Sequence, residues 1–109
     1  MKARFDNGYS SRSYVMQFDN VVPRILMCDG VETRYKFDPD TNRPVSTGEV
    51  DSKRVWLYYP GLGIQALKLP ADFKLPKDIN DLDEIELINP EACIIGHDIY
   101  VRATTLRGK

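Results

Sequence analysis

A chain of 109 residues is long enough for one domain, which at this size takes roughly 65% of its unfolded surface out of water and folds without staples. With 42% hydrophobic and 28% charged residues it has the balance of an ordinary globular protein, so intrinsic disorder is excluded. A net charge of −1 excludes bulk attraction to nucleic acid or to an anionic membrane. Binding to either would have to rest on local segregation of charge.

In chain order, residues 1–13 are polar and contain Gly and Ser, and read as a flexible N-terminal arm ahead of a single domain spanning 14–109. Tyr14 to Phe18 is predicted as a first short strand. Val21 to Cys28 is apolar on both faces apart from Arg24, and Asp29-Gly30 after it is a turn signal of the tight-hairpin type. Val31 to Phe37 alternates, with Val31, Thr33, Tyr35 and Phe37 facing one way and Glu32, Arg34 and Lys36 the other. Asp38 to Asp51, rich in turn formers, reads as a long hairpin loop.

The most strand-like run follows. Arg54, Trp56 and Tyr58 share one face and Val55, Leu57 and Tyr59 the other, because strand side chains alternate with a period of two. Pro60 to Gly63 breaks this strand, and Ile64 to Leu69 forms the next. Pro70 to Asp83 leaves room for a helical turn at most. Glu84 to Ile88, a break at Asn89-Pro90 and Cys93 to Thr104 complete the set, with Gly96 marking a bulge or bend. In the last strand Ile99, Val101 and Ala103 alternate with Tyr100, Arg102 and Thr104. No segment keeps a helical period over eleven residues. The fold class expected is all-β: about five to seven short antiparallel strands with little helix, closed into a small barrel that leaves few exposed edges.

Charge is segregated along the chain. Asp72 to Asp98 holds eight acids against Lys74 and Lys77, whereas Ile99 to Lys109 holds Arg102, Arg107 and Lys109 with no acid. Cys28 and Cys93 each sit in an apolar run and read as buried thiols of a cytoplasmic protein. No signal-peptide core stands at the start, and no run approaches the roughly 20 residues needed to cross a bilayer, so no membrane role is expected.

Few residues suggest chemistry. His97 is the one histidine, and with Asp98 beside it still lacks a nucleophile and an orienting partner. Two separated cysteines and one histidine lack the paired spacing of a zinc site. Asp38, Asp40 and Asn42 with Glu49 have the spacing of a calcium-binding EF-hand loop, but Arg43 stands where that loop turns on Gly and both flanks read as strands. A solvated turn accounts for those residues. The expectation is therefore a protein that is not an enzyme and has no metal or cofactor.

Aromatic and basic residues on the outer faces of two strands suit a surface on which unpaired bases stack while phosphates are neutralised. Trp56 itself is open to two readings, a stacking platform or the second buried face of a central strand.

The polar hairpin loop, the aromatic strand from Arg54 to Tyr59, the proline-containing crossing from Pro70 to Pro76 and the closing strand ending in Arg107 and Lys109 form a layout. It resembles that of small single-stranded-DNA-binding proteins with an OB-type barrel, including the filamentous-phage type. Glu84-Ile85-Glu86-Leu87-Ile88-Asn89-Pro90 further resembles a segment of replication-accessory proteins of Gram-positive conjugative elements. The resemblance implies an OB-like barrel that binds single-stranded DNA or RNA during replication or element transfer. It also implies a helicase or other replication protein as partner, with a homodimer as a further expectation. On this reading Trp56, Tyr58 and Tyr100 stack bases, while Lys53, Arg54, Arg102 and Arg107 meet phosphates. The rival is a protein-interaction module using the same aromatic face.

Overall fold

The computed structural model describes residues 8–27, 30–35, 37–38, 43–44 and 50–109. Among them the architecture is mostly β with one short helix, α1 (Ser11–Phe18). This helix replaces the strand expected at Tyr14 to Phe18. Ser10 caps it by accepting the Ser13 amide at 3.1 Å. Tyr14 and Phe18, four residues apart on one helical face, are buried, whereas Val15 and Met16 are exposed. Eight residues are too few for a period to register in a longer window. Ser10 also pairs its backbone with Ala92 in both directions at 3.0 Å, so residues expected in the arm are tied to the domain at this point.

The frame of the fold is the long strand β5 (Val50–Tyr59), with β1 (Arg24–Leu26) and β2 (Glu32–Tyr35) on one of its edges. These two were expected as a hairpin, yet Ile25 stands opposite Leu57 and Glu32 opposite Arg54, so they lie in series along β5. Ten residues of β5 are enough to hold both. The turn between them redirects the chain at Gly30, whose φ of 63° suits glycine; Cys28 and Asp29 lie outside the described residues. Most of the expected 38–51 loop, with its calcium-like pattern, also lies outside them, apart from the two-residue ladder of β3 (Phe37–Asp38) with β4 (Arg43–Pro44) and from Val50 and Asp51, which open strand β5.

On the other edge β5 turns back into β6 (Gly63–Leu69) from Lys53 opposite Leu69 to Tyr59 opposite Gly63. The turn needs glycine at Gly61 and Gly63, with φ of 84° and 120°. Residues 70–84 add no strand and seat Phe73 and Ile79 in the core. β7 (Ile85–Ile88) leaves the main sheet and pairs only with β10 (Thr105–Gly108) among the described residues. β8 (Glu91–Ile95) and β9 (Asp98–Arg102) form a hairpin, so Gly96 and His97 are its turn and not a bend within one strand. β9 then joins β6 in parallel, with Leu67 beside Val101 and Lys68 beside Arg102. The sheet is therefore mixed, in the order β1-β5-β6-β9-β8, and not purely antiparallel as expected. It does not close into a barrel among the described residues, because the edge of β8 is met by Ser10 and not by β1.

One face of the main sheet makes the core. Ile25, Val55, Leu57, Tyr59, Leu67, Leu69 and Val101 meet Tyr14 and Phe18 from α1, Phe73 and Ile79 from the crossing, and Ile85 and Leu106 from the β7-β10 ladder. Each large aliphatic chain buried here is worth about 1.5–3 kcal/mol of transfer free energy. Phe18 stacks on Tyr59 with centroids 4.3 Å apart, and the Tyr14 and Tyr59 hydroxyls share a hydrogen bond of 2.8 Å inside the core. Burial pushes both phenols above the ordinary tyrosine range. No helix among the described residues is long and apolar enough to cross a membrane.

Candidate functional site

Because alternation sends Val55, Leu57 and Tyr59 inward, Arg54, Trp56 and Tyr58 emerge on the opposite face, as the sequence predicts. Ala66 and Lys68 of β6 and Tyr100 and Arg102 of β9 join them there by register: Trp56 stands opposite Ala66, Arg54 opposite Lys68, and Lys68 beside Arg102. The small side chains of Ser52 and Ala66 let the surface sink between larger neighbours. The result is a groove of about 420 Å³ lined by Tyr9, Arg34, Tyr35, Arg54, Lys68 and Tyr100, with Gln65 and Asp51 among its other walls. A second hollow of about 180 Å³ shares Asp51, Ser52 and Lys68 and runs on to Arg102 and Pro70. The volume of the groove falls within the range of small-ligand sites.

Gln65 fixes the floor by donating from Nε2 to the carbonyls of Ile99 at 2.9 Å and Ala66 at 3.0 Å, which bridges β6 to β9 beyond their two paired positions. Tyr9 forms one wall, with the Arg102 guanidinium 4.1 Å from its ring centroid. Burial raises the Tyr9 phenol and Cys93 adds to this, while Arg102 opposes it, so the ring carries a neutral hydroxyl at neutral pH. Cys93 is itself buried, opposite Tyr100 in the β8-β9 hairpin.

Two cations of this face, Arg54 and Arg102, meet an acid. Arg54 donates from Nε to Glu32 Oε2 at 3.0 Å and from Nη2 to the same oxygen, while Trp56 Nε1 donates to Glu32 Oε1 at 2.9 Å. These donors hold the Glu32 carboxyl below the usual carboxylate range, the Arg54 hydrogen bonds contributing most and Trp56 next. Arg102 Nε donates to Glu91 Oε1 at 3.0 Å. Arg34 and Lys68 line the groove and are exposed.

The sequence-predicted site residues thus separate into three groups. Arg54 and Tyr100 line the groove together with Lys53, and Arg102 lines its extension. Trp56 and Tyr58 share the face but lie beyond the groove; Trp56 is half-buried with its indole N–H engaged, and Tyr58 is exposed opposite Ile64. The charges of Lys53 and Arg107 are turned to other tasks. The Lys53 ammonium donates to the Phe73 carbonyl at 2.8 Å, and Arg107, on the separate β7-β10 ladder, pairs with Glu86 at 3.0 Å. The basic C-terminal stretch is divided between two surfaces.

Tyr9, Arg34, Tyr35 and Lys68 were not singled out from the sequence. Alternation marks Lys68 and Arg34 as outward residues, but only the register across β2, β5, β6 and β9 brings them together. The acidic run has its own structural tasks: Asp81 accepts the Met27 amide at 2.8 Å and Glu84 pairs with Arg24 at 3.1 Å. Among the described residues no group of three or more His, Cys, Asp or Glu is placed to hold a metal ion.

Comparison of the chain with protein-family models, with curated proteins and with solved structures finds no significant match.

Proposed function

We propose that the outer face of the main sheet binds single-stranded nucleic acid, DNA in the first instance, without catalysing a reaction on it. The observation that carries this reading is the groove in which Tyr9, Tyr35 and Tyr100 stand among Arg34, Arg54 and Lys68. Aromatic rings offer each base a stacking partner worth about 1–3 kcal/mol, and neighbouring cations answer the phosphates. Sequence preference is weak, since stacking and phosphate contacts carry little base information. In this reading the sheet works as an open platform with the ligand-binding logic of an OB-type barrel, and its cellular role is that of an accessory protein in replication or mobile-element transfer. Arg107 falls outside the interface, and Lys53 borders it with its ammonium held by the Phe73 carbonyl.

A second reading has support of its own. Tyr58 and Ile64, opposite each other, extend the same face past the groove, and Leu62 stands in the turn beyond them, with Leu62 and Ile64 55% and 64% exposed. A partner protein would use that stretch together with Trp56 and Arg54, residue types enriched at interface hot spots. Salt separates the two readings. Titrating oligothymidine against the emission of Trp56 at low and moderate salt should give binding that weakens steeply as salt rises, because counterion release is lost. Absence of binding at both salts, with an electrophoretic shift assay in agreement, would favour the protein partner.

A further inference from the structure

Glu32 has an unusual position among the acids of this molecule. It reaches across from β2, directly opposite Arg54, and its two carboxylate oxygens collect three N–H groups from two residues of β5. The Arg54 guanidinium also lies over the Trp56 ring, 5.2 Å from its centroid, so the two donors are attracted to each other as well as to Glu32. Arginine N–H groups recognise carboxylate and phosphate oxygens with the same geometry. The carboxylate is part-exposed and sits on the face that carries the groove, and Arg54 is itself a wall of that groove.

We propose that Arg54 and Trp56 form a phosphate seat that Glu32 occupies with its own carboxylate, and that an incoming phosphate takes the seat by displacing Glu32 into solvent. The proposal rests on the nucleic-acid reading for the source of that phosphate; the seat itself follows from the three converging donors. Glu32 then sets a threshold. The chain binds a strand only when stacking and the contacts of Arg34 and Lys68 have brought a phosphate close enough to compete, which disfavours free inorganic anions. The other arginine–glutamate pairs among the described residues lack this arrangement: Arg24, Arg102 and Arg107 each meet one carboxylate oxygen with no aromatic N–H beside it.

The test compares wild type with E32Q, E32A and, as a control for charge, E86Q, which frees an arginine away from the groove. Binding of a labelled oligothymidine is followed by anisotropy across a salt series, and inorganic phosphate is titrated against Trp56 emission. Near-ultraviolet circular dichroism checks folding, and E32Q serves alone if E32A does not fold. The expected result is about three- to tenfold tighter strand binding by both Glu32 variants, with a salt slope steeper by about 0.7 for one added phosphate contact. E86Q should bind as wild type does, and phosphate should shift Trp56 emission saturably in the Glu32 variants at concentrations that leave wild type unmoved. Wild-type strand binding that the Glu32 variants do not tighten, or that E86Q tightens equally, overturns the proposal. If no protein binds the strand but phosphate saturates the Glu32 variants, the seat stands and the nucleic-acid reading falls. If phosphate has no effect on them either, the seat falls too.

Discussion

Two regions of this molecule present an arginine and a glutamate from neighbouring strands, and they differ in everything that surrounds the pair. On the β7-β10 ladder Arg107 and Glu86 are 64% and 51% exposed, and Arg107 borders a hollow lined by the acids Asp78, Asp83 and Glu84 with no aromatic ring in it. On the main sheet Arg54 and Glu32 are 31% and 28% exposed and share their contact with an indole N–H at the rim of a groove with tyrosine walls. An exposed pair of the first kind contributes little, with a median of about 0–1 kcal/mol, and gives a ligand no more than a point charge. The second kind fixes three donors in space. A basic residue becomes a candidate for recognition through its neighbours, and the tail arginine that looks most available in the sequence is the less useful of the two.

The two faces of β5 make the same contrast in stability, and substitutions there should produce the largest effect. Leu57→Ala removes a fully buried side chain at the centre of the core and should cost about 2–5 kcal/mol, read by urea unfolding. Tyr58→Ala on the opposite face should cost at most about 1 kcal/mol. Equal costs would mean that the outer face is also packed, and the platform would be lost.

Next in size is the buried hydroxyl pair. Tyr14→Phe leaves the Tyr59 hydroxyl without its partner 2.8 Å away and should cost about 1–3 kcal/mol, while the double Phe variant recovers part of that loss. Both phenols are raised by burial, so the folded state keeps its protons at a pH where the unfolded chain, with phenols near 10, begins to ionise. Stability from this source is complete below about pH 10 and falls as pH rises above it. The double Phe variant should show a shallower alkaline decline, measured by denaturant midpoints across that range.

Smaller effects concern the ligand and sharpen the comparison between the two arginine surfaces. Tyr100→Ala should weaken oligothymidine binding by about 1–3 kcal/mol without loss of fold. Lys68→Ala should reduce the salt slope by about 0.7, and Arg107→Ala should leave it unchanged. A slope that responds to Arg107 and not to Lys68 would move the interface to the other ladder.

Much of this arrangement was legible in the residues, and the illegible part has a common cause. The inward set Val55, Leu57, Tyr59 and the outward set Arg54, Trp56, Tyr58 follow from a local period of two, as do Val101 against Tyr100 and Arg102. The Pro60 to Gly63 break is written in residues that few other types can replace there. What escaped was non-local. Two strands laid in series along β5 carry the same turn signal as a hairpin, and the parallel approach of β9 to β6 spans some thirty intervening residues that state no direction. Helix α1 shows a period only through Tyr14 and Phe18, both also good strand formers. The groove inherits these difficulties, because Tyr9, Arg34 and Lys68 meet only once four separate segments are in register.

The most direct test of the central claim is an amide chemical-shift map of the labelled protein titrated with oligothymidine at low salt. Perturbations should cluster at Arg34 and Tyr35, Ser52 to Arg54, Ala66 to Lys68 and Tyr100 to Arg102, with Ile85 to Ile88 and Thr105 to Gly108 unmoved. Perturbations confined to the β7-β10 ladder, or none anywhere at saturating strand, would contradict it.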